Sequence, residues 1–300
     1  MIQDRTSSTM KKKFATIGLY CKPHDTEAFK VQQALYNWLD QQKYALLVEQ
    51  NVPLAIDPAQ LISLNQLGEQ ANLVIVIGGD GHMLGAARVL SRYDVAVIGI
   101  NRGHLGFLTD ILPDDFITPL QQVLAGEYVL EKRFLLDNEV HRHGQVKSHN
   151  AAMNEAVLHA GKVAHMFEFE VFIDDKLMYS QRADGLIVAT PTGSTAYALS
   201  AGGTIASPDL DILMLLPMFP HTLAARPIAI SADRVIRINS APIEHQEQRL
   251  SCDGQVQLPV LPGDTVMIKR SRHQLQLVHP PSYDYFNVLH SKLNWGSKLY

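Results

Sequence analysis

The sequence predicts an α/β protein: an N-terminal α/β domain on a parallel sheet, then a C-terminal β-sandwich-like domain. Three observations carry that prediction. Strand-like and helix-like stretches alternate from Phe14 to Gly126, the pattern of βαβ units with right-handed crossovers. Leu73–Ile77 is an unbroken run of branched and leucine side chains, a strand apolar on both faces as in a sheet covered by helices. After Val129 the texture changes to short strands separated by turns. The first domain is placed at residues 1–130 and the second at 131–281. The aromatic, apolar tail 282–300 is expected to pack back on the first.

Residues 1–12 are polar and read as disordered. Phe14–Tyr20 is a first strand. Thr26–Gln42 has helical spacing, with Phe29, Ala34, Leu35, Trp38 and Leu39 on one side. Tyr44–Val48 is a second strand, and Pro58–Glu69 contains a short helix. The Leu73 strand ends in Gly78-Gly-Asp-Gly81, and a helix from about His82 carries Met83, Leu84, Ala87 and Leu90. Val95–Ile100 is the next buried strand and runs into Asn101-Arg-Gly-His-Leu-Gly-Phe-Leu108. Pro113–Gly126 reads as a further helix. Beyond it, Arg133–His141, Ala156–Leu158, Met166–Ile173, Gly185–Ala189, Val235–Ile238 and Thr265–Lys269 read as strands.

Composition narrows the function. A 300-residue chain that is 46% hydrophobic and 19% charged is globular, and its net charge of −4 offers no broad basic field for nucleic acid. Two distant cysteines, Cys21 and Cys252, exclude a disulfide framework and a thiolate zinc site, and a reducing cytoplasm is the simplest compartment. No signal peptide is apparent. The apolar run Ile212–Met218 contains Pro217 and is too short to span a bilayer, so no membrane is expected.

Strand, glycine loop and helix at Leu73–Leu90 is the arrangement that binds phosphate, because missing side chains let the anion reach backbone N–H groups at the positive end of a helix. Asp80 stands out in that loop. A carboxylate beside a polyphosphate suffers like-charge repulsion unless it serves the chemistry, by taking a proton from an attacking hydroxyl or by acting through bound Mg²⁺. The plainer reading is a helix cap. Later islands weaken it. Asn154-Glu155 offers donors and acceptors together. Arg182-Ala-Asp184-Gly185 precedes a strand that ends in Thr190-Pro-Thr-Gly-Ser-Thr-Ala-Tyr197, a hydroxyl-rich loop entering a short helix, Ala196–Ser200, with Ser194 or Thr195 as natural caps. Asp253-Gly254 reads as a hairpin turn. His141, His143 and His149 read as a solvated strand edge rather than a metal site. There is no Gly-x-x-x-x-Gly-Lys-Ser/Thr and no Gly-x-Gly-x-x-Gly after the first strand.

Taken together, Gly78–Gly81, Asn101–Leu108, Asn154-Glu155, Asp184 through Tyr197 and Cys252-Asp-Gly-Gln255 resemble the NAD kinase family, its bacterial branch in particular. The resemblance runs from about Phe14 to the C-terminus. It implies the NAD kinase and diacylglycerol kinase-like fold. The implied reaction moves the γ-phosphoryl of ATP to the 2′-hydroxyl of NAD's adenosine ribose, giving NADP, with Mg²⁺ or Mn²⁺ and in a homodimer or homotetramer. It implies Asp80 as general base, with Gly78, Gly79 and Gly81 close to the phosphates. Asn154 and Glu155 would hold the ribose and adenine side, and Asp184 the nicotinamide amide or its ribose. Thr195, Ala196, Tyr197, Ala198, Leu199 and Ser200 would line the dinucleotide pocket. His165, Arg182 and Gln255 match ligand-contacting positions, and no residue is assigned as a metal ligand. The sequence departs from the family at His82, where Thr or Asn is common, and at Thr204, where Pro is common. Arg182 resembles the NAD-preferring members. A lipid kinase sharing the Gly-Gly-Asp-Gly loop would be expected to carry a basic amphipathic helix, which is not seen. A non-catalytic sensor would have lost the carboxylate that Asp80 supplies.

Overall fold

The computed structural model describes residues 13–21, 25–51, 56–103, 106–161, 165–240 and 248–295. The disorder expected at 1–12, the middle of the Asn101–Leu108 motif and the end of the tail lie outside those residues. Two compact units are present, one formed by 1–131 with 276–300 and the other by 132–275.

In the first unit, β1 (Thr16–Cys21), β2 (Ala45–Glu49), β3 (Leu61–Ile62), β4 (Leu73–Ile77) and β5 (Ala96–Ile100) are all parallel, with β1 paired to β2 and β4, β2 to β3, and β4 to β5. Helices α1 (Thr26–Gln41), α2 (Leu64–Gln70) and α3 (Asp80–Leu90) make the crossovers. Asp25 caps α1 and Ser63 forms a capping box with Gln66 on α2. Every residue of β4 is buried, as its unbroken apolar run requires. Each such side chain contributes roughly 1.5–3 kcal/mol by leaving water. The helix expected over Pro113–Gly126 is divided: a 3-10 turn at Pro113–Asp115 precedes α4 (Ile117–Ala125), which closes on Gly126 at φ 98°. Pro119 lacks an N–H, so it fits only the first turn of a helix, and that fixes where α4 begins.

The second unit is built from β6 (Val129–Arg142), β7 (Gln145–Ala152), β8 (Glu155–Ala160), β9 (Phe167–Ile173), β10 (Lys176–Ala183), β11 (Gly185–Ala189), the one-turn helix α5 (Tyr197–Ser200), β12 (Ile212–Met218), β13 (Ile228–Ser231), β14 (Ile236–Ser240), β15 (Gln248–Cys252), β16 (Val256–Val260) and β17 (Thr265–His279). Strands in the order β13-β12-β11-β8-β15-β16 form an antiparallel sheet, and β10-β9-β14-β17 form a second antiparallel stack. Alternate residues from both meet in one apolar cluster that includes Phe167, Phe169, Leu186, Leu213, Ile236, Leu250 and Ile268. The opposite face of β11 and β12 is covered as well, by Ala198 and Ala206. That explains why Gly185–Ala189 reads as a continuous apolar run. His143 and Gly144 turn between β6 and β7 with positive φ. His141 pairs with Glu139 at 2.7 Å and His149 lies 3.8 Å from Asp137, and no group of three potential metal ligands gathers among the described residues.

From Gln276 the chain belongs to the first unit. Gln276 and Leu277 pair parallel with Ala96 and Val97 of β5. Helix α6 (Tyr285–Leu293) follows, capped by Asp284 and burying Val288 and Leu289. His279 fixes this return. It is fully buried, 3.0 Å from Asp110 and 3.4 Å from Glu131, with its ring stacked at 3.7 Å on Tyr283. Burial alone would lower its pKa, but hydrogen bonding and the charges of Asp110 and Glu131 outweigh that and hold it above the ordinary value.

A raised histidine pKa stabilises the fold fully below about pH 6.5, and that contribution is lost as pH rises through the folded-state value. The wild-type Tm should therefore fall relative to His279→Gln on going from pH 6 to pH 9. A Tm difference independent of pH over that range would contradict this assignment.

Candidate active site

In the first unit, β4 ends at Ile77 and α3 begins after Gly79, which caps the helix with no side-chain bond. Among the described residues a Cβ added at Gly79 would meet nothing within 4 Å, which leaves space at the N–H groups of the helix start. Asp80 sits in the first helical turn but does not cap it. Its Oδ2 accepts the Phe107 N–H at 2.8 Å, and its Oδ1 accepts the Leu108 N–H at 3.1 Å and the Thr109 hydroxyl at 3.0 Å. The loop after β5 closes over the carboxylate because residue 106 is glycine. A Cβ there would lie 2.0 Å from Asp80 Oδ1 and 2.5 Å from Thr109 Oγ1. The His82 ring stacks on Tyr20 at 4.3 Å and packs over Gly78, where a Cβ would approach the ring to 3.0 Å.

In the second unit, a cavity of about 560 Å³ is lined by Glu155, His159, Asp184, Tyr197, Met218 and Phe219 among others. This volume suits a small-molecule site, typically about 300–1,000 Å³. A neighbouring cavity of about 360 Å³ shares Tyr197, Met218 and Phe219 and adds Ser200 and Arg226. Glu155 is the unusual member. Its side chain is buried, and Oε2 has no hydrogen-bond partner among the described residues. Burial, then the charge of Asp253, push its carboxyl up to about 8 against the opposing hydrogen bond from the Tyr197 N–H. Below about pH 8 this carboxyl holds its proton, so its unsatisfied oxygen is a donor that an acceptor in the cavity would meet.

Asp253 builds this site from below. Its buried carboxylate accepts the N–H groups of Met153 at 3.0 Å, Asn154 at 2.8 Å and Glu155 at 3.3 Å, so it sets the loop that presents Glu155. The hairpin reading of Asp253-Gly254 is correct, since both residues have positive φ in the turn between β15 and β16, but it is half of the role. Thr190 clamps the same loop: its hydroxyl donates to the Met153 carbonyl at 2.6 Å, and its N–H reaches the Asn154 carbonyl at 2.9 Å. Gly193 lies so close that a Cβ would sit 2.2 Å from the Asn154 oxygen.

The hydroxyl-rich loop is more self-contained than its composition suggests. Thr190 accepts the Gly193 N–H, Thr192 pairs with the buried Arg133, and Ser194 exchanges hydrogen bonds with the Ala206 N–H and carbonyl. Ser194 and Thr195 do not cap α5, which carries no side-chain cap. Of the residues expected at the site, Glu155, Asp184, Tyr197 and Ser200 line the cavities. Ala198 is fully buried in the apolar cluster behind β11. Asn154, Thr195, Ala196 and Leu199 are half-buried, and His165, Arg182 and Gln255 are exposed; none of these is among the described lining residues. Asn101, Thr109, His159, Met218, Phe219 and Asp253 are not singled out as site residues by the sequence. Phe219 carries no signal there, although its positive φ and 74% exposure mark it in the structure.

Residues 17–128 match the ATP-NAD kinase N-terminal domain, and residues 153–280 the ATP-NAD kinase C-terminal domain. The chain is 57% identical over 292 residues to an NAD kinase of Shewanella loihica, covering 97% of this chain and all of the relative. It is 57% identical over 294 residues to an NAD kinase of Aeromonas salmonicida, covering 97% of this chain and all of that one. The fold is shared with yeast NADH kinase complexed with NADH (TM-score 0.84, 24% identity, 96% of this chain and 89% of that one). It is also shared with an NAD kinase from Archaeoglobus fulgidus in complex with ATP (TM-score 0.71, 24% identity, 93% and 98%).

With Glu155 raised from about 4.5 to about 8, its protonated form stabilises the fold at low pH, and that contribution is lost as pH rises through about 8. Between pH 6 and pH 8.5 the wild type should lose Tm relative to Glu155→Gln. Parallel Tm profiles would contradict a buried, proton-holding Glu155.

Proposed function

The chain belongs to the NAD kinase family, and from that premise we propose that it transfers the γ-phosphoryl group of ATP to the 2′-hydroxyl of the adenosine ribose of NAD, giving NADP. Asp80 is the general base. It takes the hydroxyl proton as the ribose oxygen bonds to the γ-phosphorus and the bond to ADP breaks.

The observation that carries this reading is the state of the Asp80 carboxylate. A carboxylate has about four acceptor sites. Three donors occupy Asp80: two on Oδ1 and one on Oδ2. Among the described residues Oδ2 takes one donor against two on Oδ1, so the group is held in place with an acceptor position left for a substrate hydroxyl. Phosphoryl transfer asks for positioning and charge neutralisation more than covalent chemistry, and a held base beside an open helix start supplies the first. Gly78, Gly79 and Gly81 are assigned to the phosphates. Asn154 and Glu155 are assigned to the ribose and adenine side, and Asp184 to the nicotinamide amide or its ribose. The Thr195–Ser200 turn, with Tyr197 46% exposed and available to pack on a base, completes the dinucleotide contacts. His165, Arg182 and Gln255 contribute from their exposed positions.

A divalent ion, Mg²⁺ or Mn²⁺, belongs to this reading. Among the described residues no three His, Cys, Asp or Glu side chains gather to cage one. Such ions are commonly held largely by substrate phosphates and water, and the phosphates of ATP would carry the ion here. Bound there, the ion would neutralise charge on the phosphates. A homodimer or homotetramer is proposed on the exposed apolar side chains Phe219, Leu223 and Ile228. A cytoplasmic location fits the buried thiols of Cys21 and Cys252; among the described residues no helix is long and apolar enough to cross a membrane.

Asp80→Asn should lower NADP formation by about 10²-fold or more while calorimetric NAD affinity stays near the parent value. Loss of NAD binding along with turnover would assign Asp80 a structural role instead. Chelation should abolish turnover, with recovery on adding Mg²⁺ or Mn²⁺; activity persisting in chelator would remove the metal from the reaction. Arg182 supports a preference for NAD over NADH, and equal turnover of the two would end that part of the reading.

A further inference from the structure

The loop that holds Asp80 contains a directed relay of side chains. Asn101 is buried, and its Oδ1 accepts the Arg102 N–H at 2.6 Å. That bond fixes which way the amide faces, so its Nδ2 is the atom turned to Thr109, donating to Oγ1 at 2.7 Å. Thr109 is fully buried, with its methyl against Gly99, where a Cβ would lie 2.6 Å from Thr109 Cγ2. A free hydroxyl would rotate among partners. This one has an N–H on its oxygen, and its own proton is directed to Asp80 Oδ1 at 3.0 Å.

We propose that Thr109, aimed by Asn101, is a positioning residue for the phosphoryl-transfer step: it holds Oδ1 of Asp80 so that Oδ2 faces the acceptor hydroxyl. The proposal rests on Asp80 being the base. The two backbone N–H groups from Phe107 and Leu108 fix where the carboxylate sits, one on each oxygen. The hydroxyl is the second donor to Oδ1, and it makes the two oxygens inequivalent. Without it the carboxylate keeps its location but loses the bias that leaves Oδ2 open. The cost therefore falls on turnover and not on substrate affinity, since Thr109 is fully buried and its hydroxyl donates to Asp80.

Steady-state kinetics on the full-length protein, with ATP and NAD each varied, tests this. Thr109→Val, which keeps the shape and removes the hydroxyl, should lower kcat roughly ten- to a hundredfold, the range for a lost hydrogen bond to a charged group. KM for ATP and NAD should stay within about twofold. Thr109→Ser should recover kcat to within about threefold of the parent, since the donor is restored without the methyl. Asn101→Asp supplies an independent arm, needed if Thr109→Val does not fold. An acceptor at position 101 would draw the Thr109 proton away from Asp80, so kcat should fall with Thr109 intact, and the double variant should be no worse than Thr109→Val alone. Parental kcat in both Thr109→Val and Asn101→Asp would overturn the proposal. So would equal impairment of the Val and Ser variants, which would place the role in the methyl packed on Gly99. Lost turnover in Asp80→Asn beside parental kcat in Thr109→Val would overturn this inference alone. Retained turnover in Asp80→Asn would overturn the base assignment and this inference with it.

Discussion

The glycine-loop end of the first unit depends on one arrangement: a carboxylate at the start of a glycine-flanked helix, turned toward backbone N–H groups of another loop. Asp80 could have capped its own helix, which costs nothing in geometry and is the commonest use of an aspartate there. It reaches instead to Phe107, Leu108 and Thr109. Much of the surrounding sequence follows from that choice. Gly106 lacks a side chain because the carboxylate occupies the space. Gly99 lacks one because Thr109 does. Asn101 is buried with its amide directed, which an apolar residue could not provide. A motif that looks like a string of small and polar residues is the packing shell of one carboxylate.

The second unit uses the same device with a different outcome. Asp253 also spends its carboxylate on three backbone N–H groups, those of Met153, Asn154 and Glu155. Those bonds satisfy its buried charge, and that charge in turn makes ionisation of Glu155 harder. Glu155 is left with a buried oxygen that has no partner among the described residues. One carboxylate thus acts as scaffold, and the adjacent one is left buried beside a cavity. The Thr190 clamp and the close approach of Gly193 keep the loop from relaxing away from that strain.

How much of this is readable in the sequence follows from range. Leu73–Ile77 and Gly185–Ala189 announce themselves because a strand buried on both faces is apolar at every position. The glycine loop and Asp80 are local, and so is the Asn154-Glu155 pair. The division of the 113–126 helix is signalled by Pro119 once its first-turn requirement is applied. The full length of β17 is not, because Arg270–Gln274 is polar and breaks the alternation that Thr265–Lys269 shows. Asp253 acts on Asn154 across 99 residues, and no periodicity reports such a pairing. The hydroxyls of Thr190, Thr192 and Ser194 suggest ligand contacts by their density, yet they are spent within the loop and its neighbours.

The most direct measurement is a coupled assay on the purified chain. ATP, Mg²⁺ and NAD are supplied, and a dehydrogenase that accepts only the 2′-phosphorylated dinucleotide reports the product. Product that requires the protein, ATP and NAD together is the predicted result. ATP consumption or NAD binding without any 2′-phosphorylated product would contradict phosphoryl transfer to that hydroxyl.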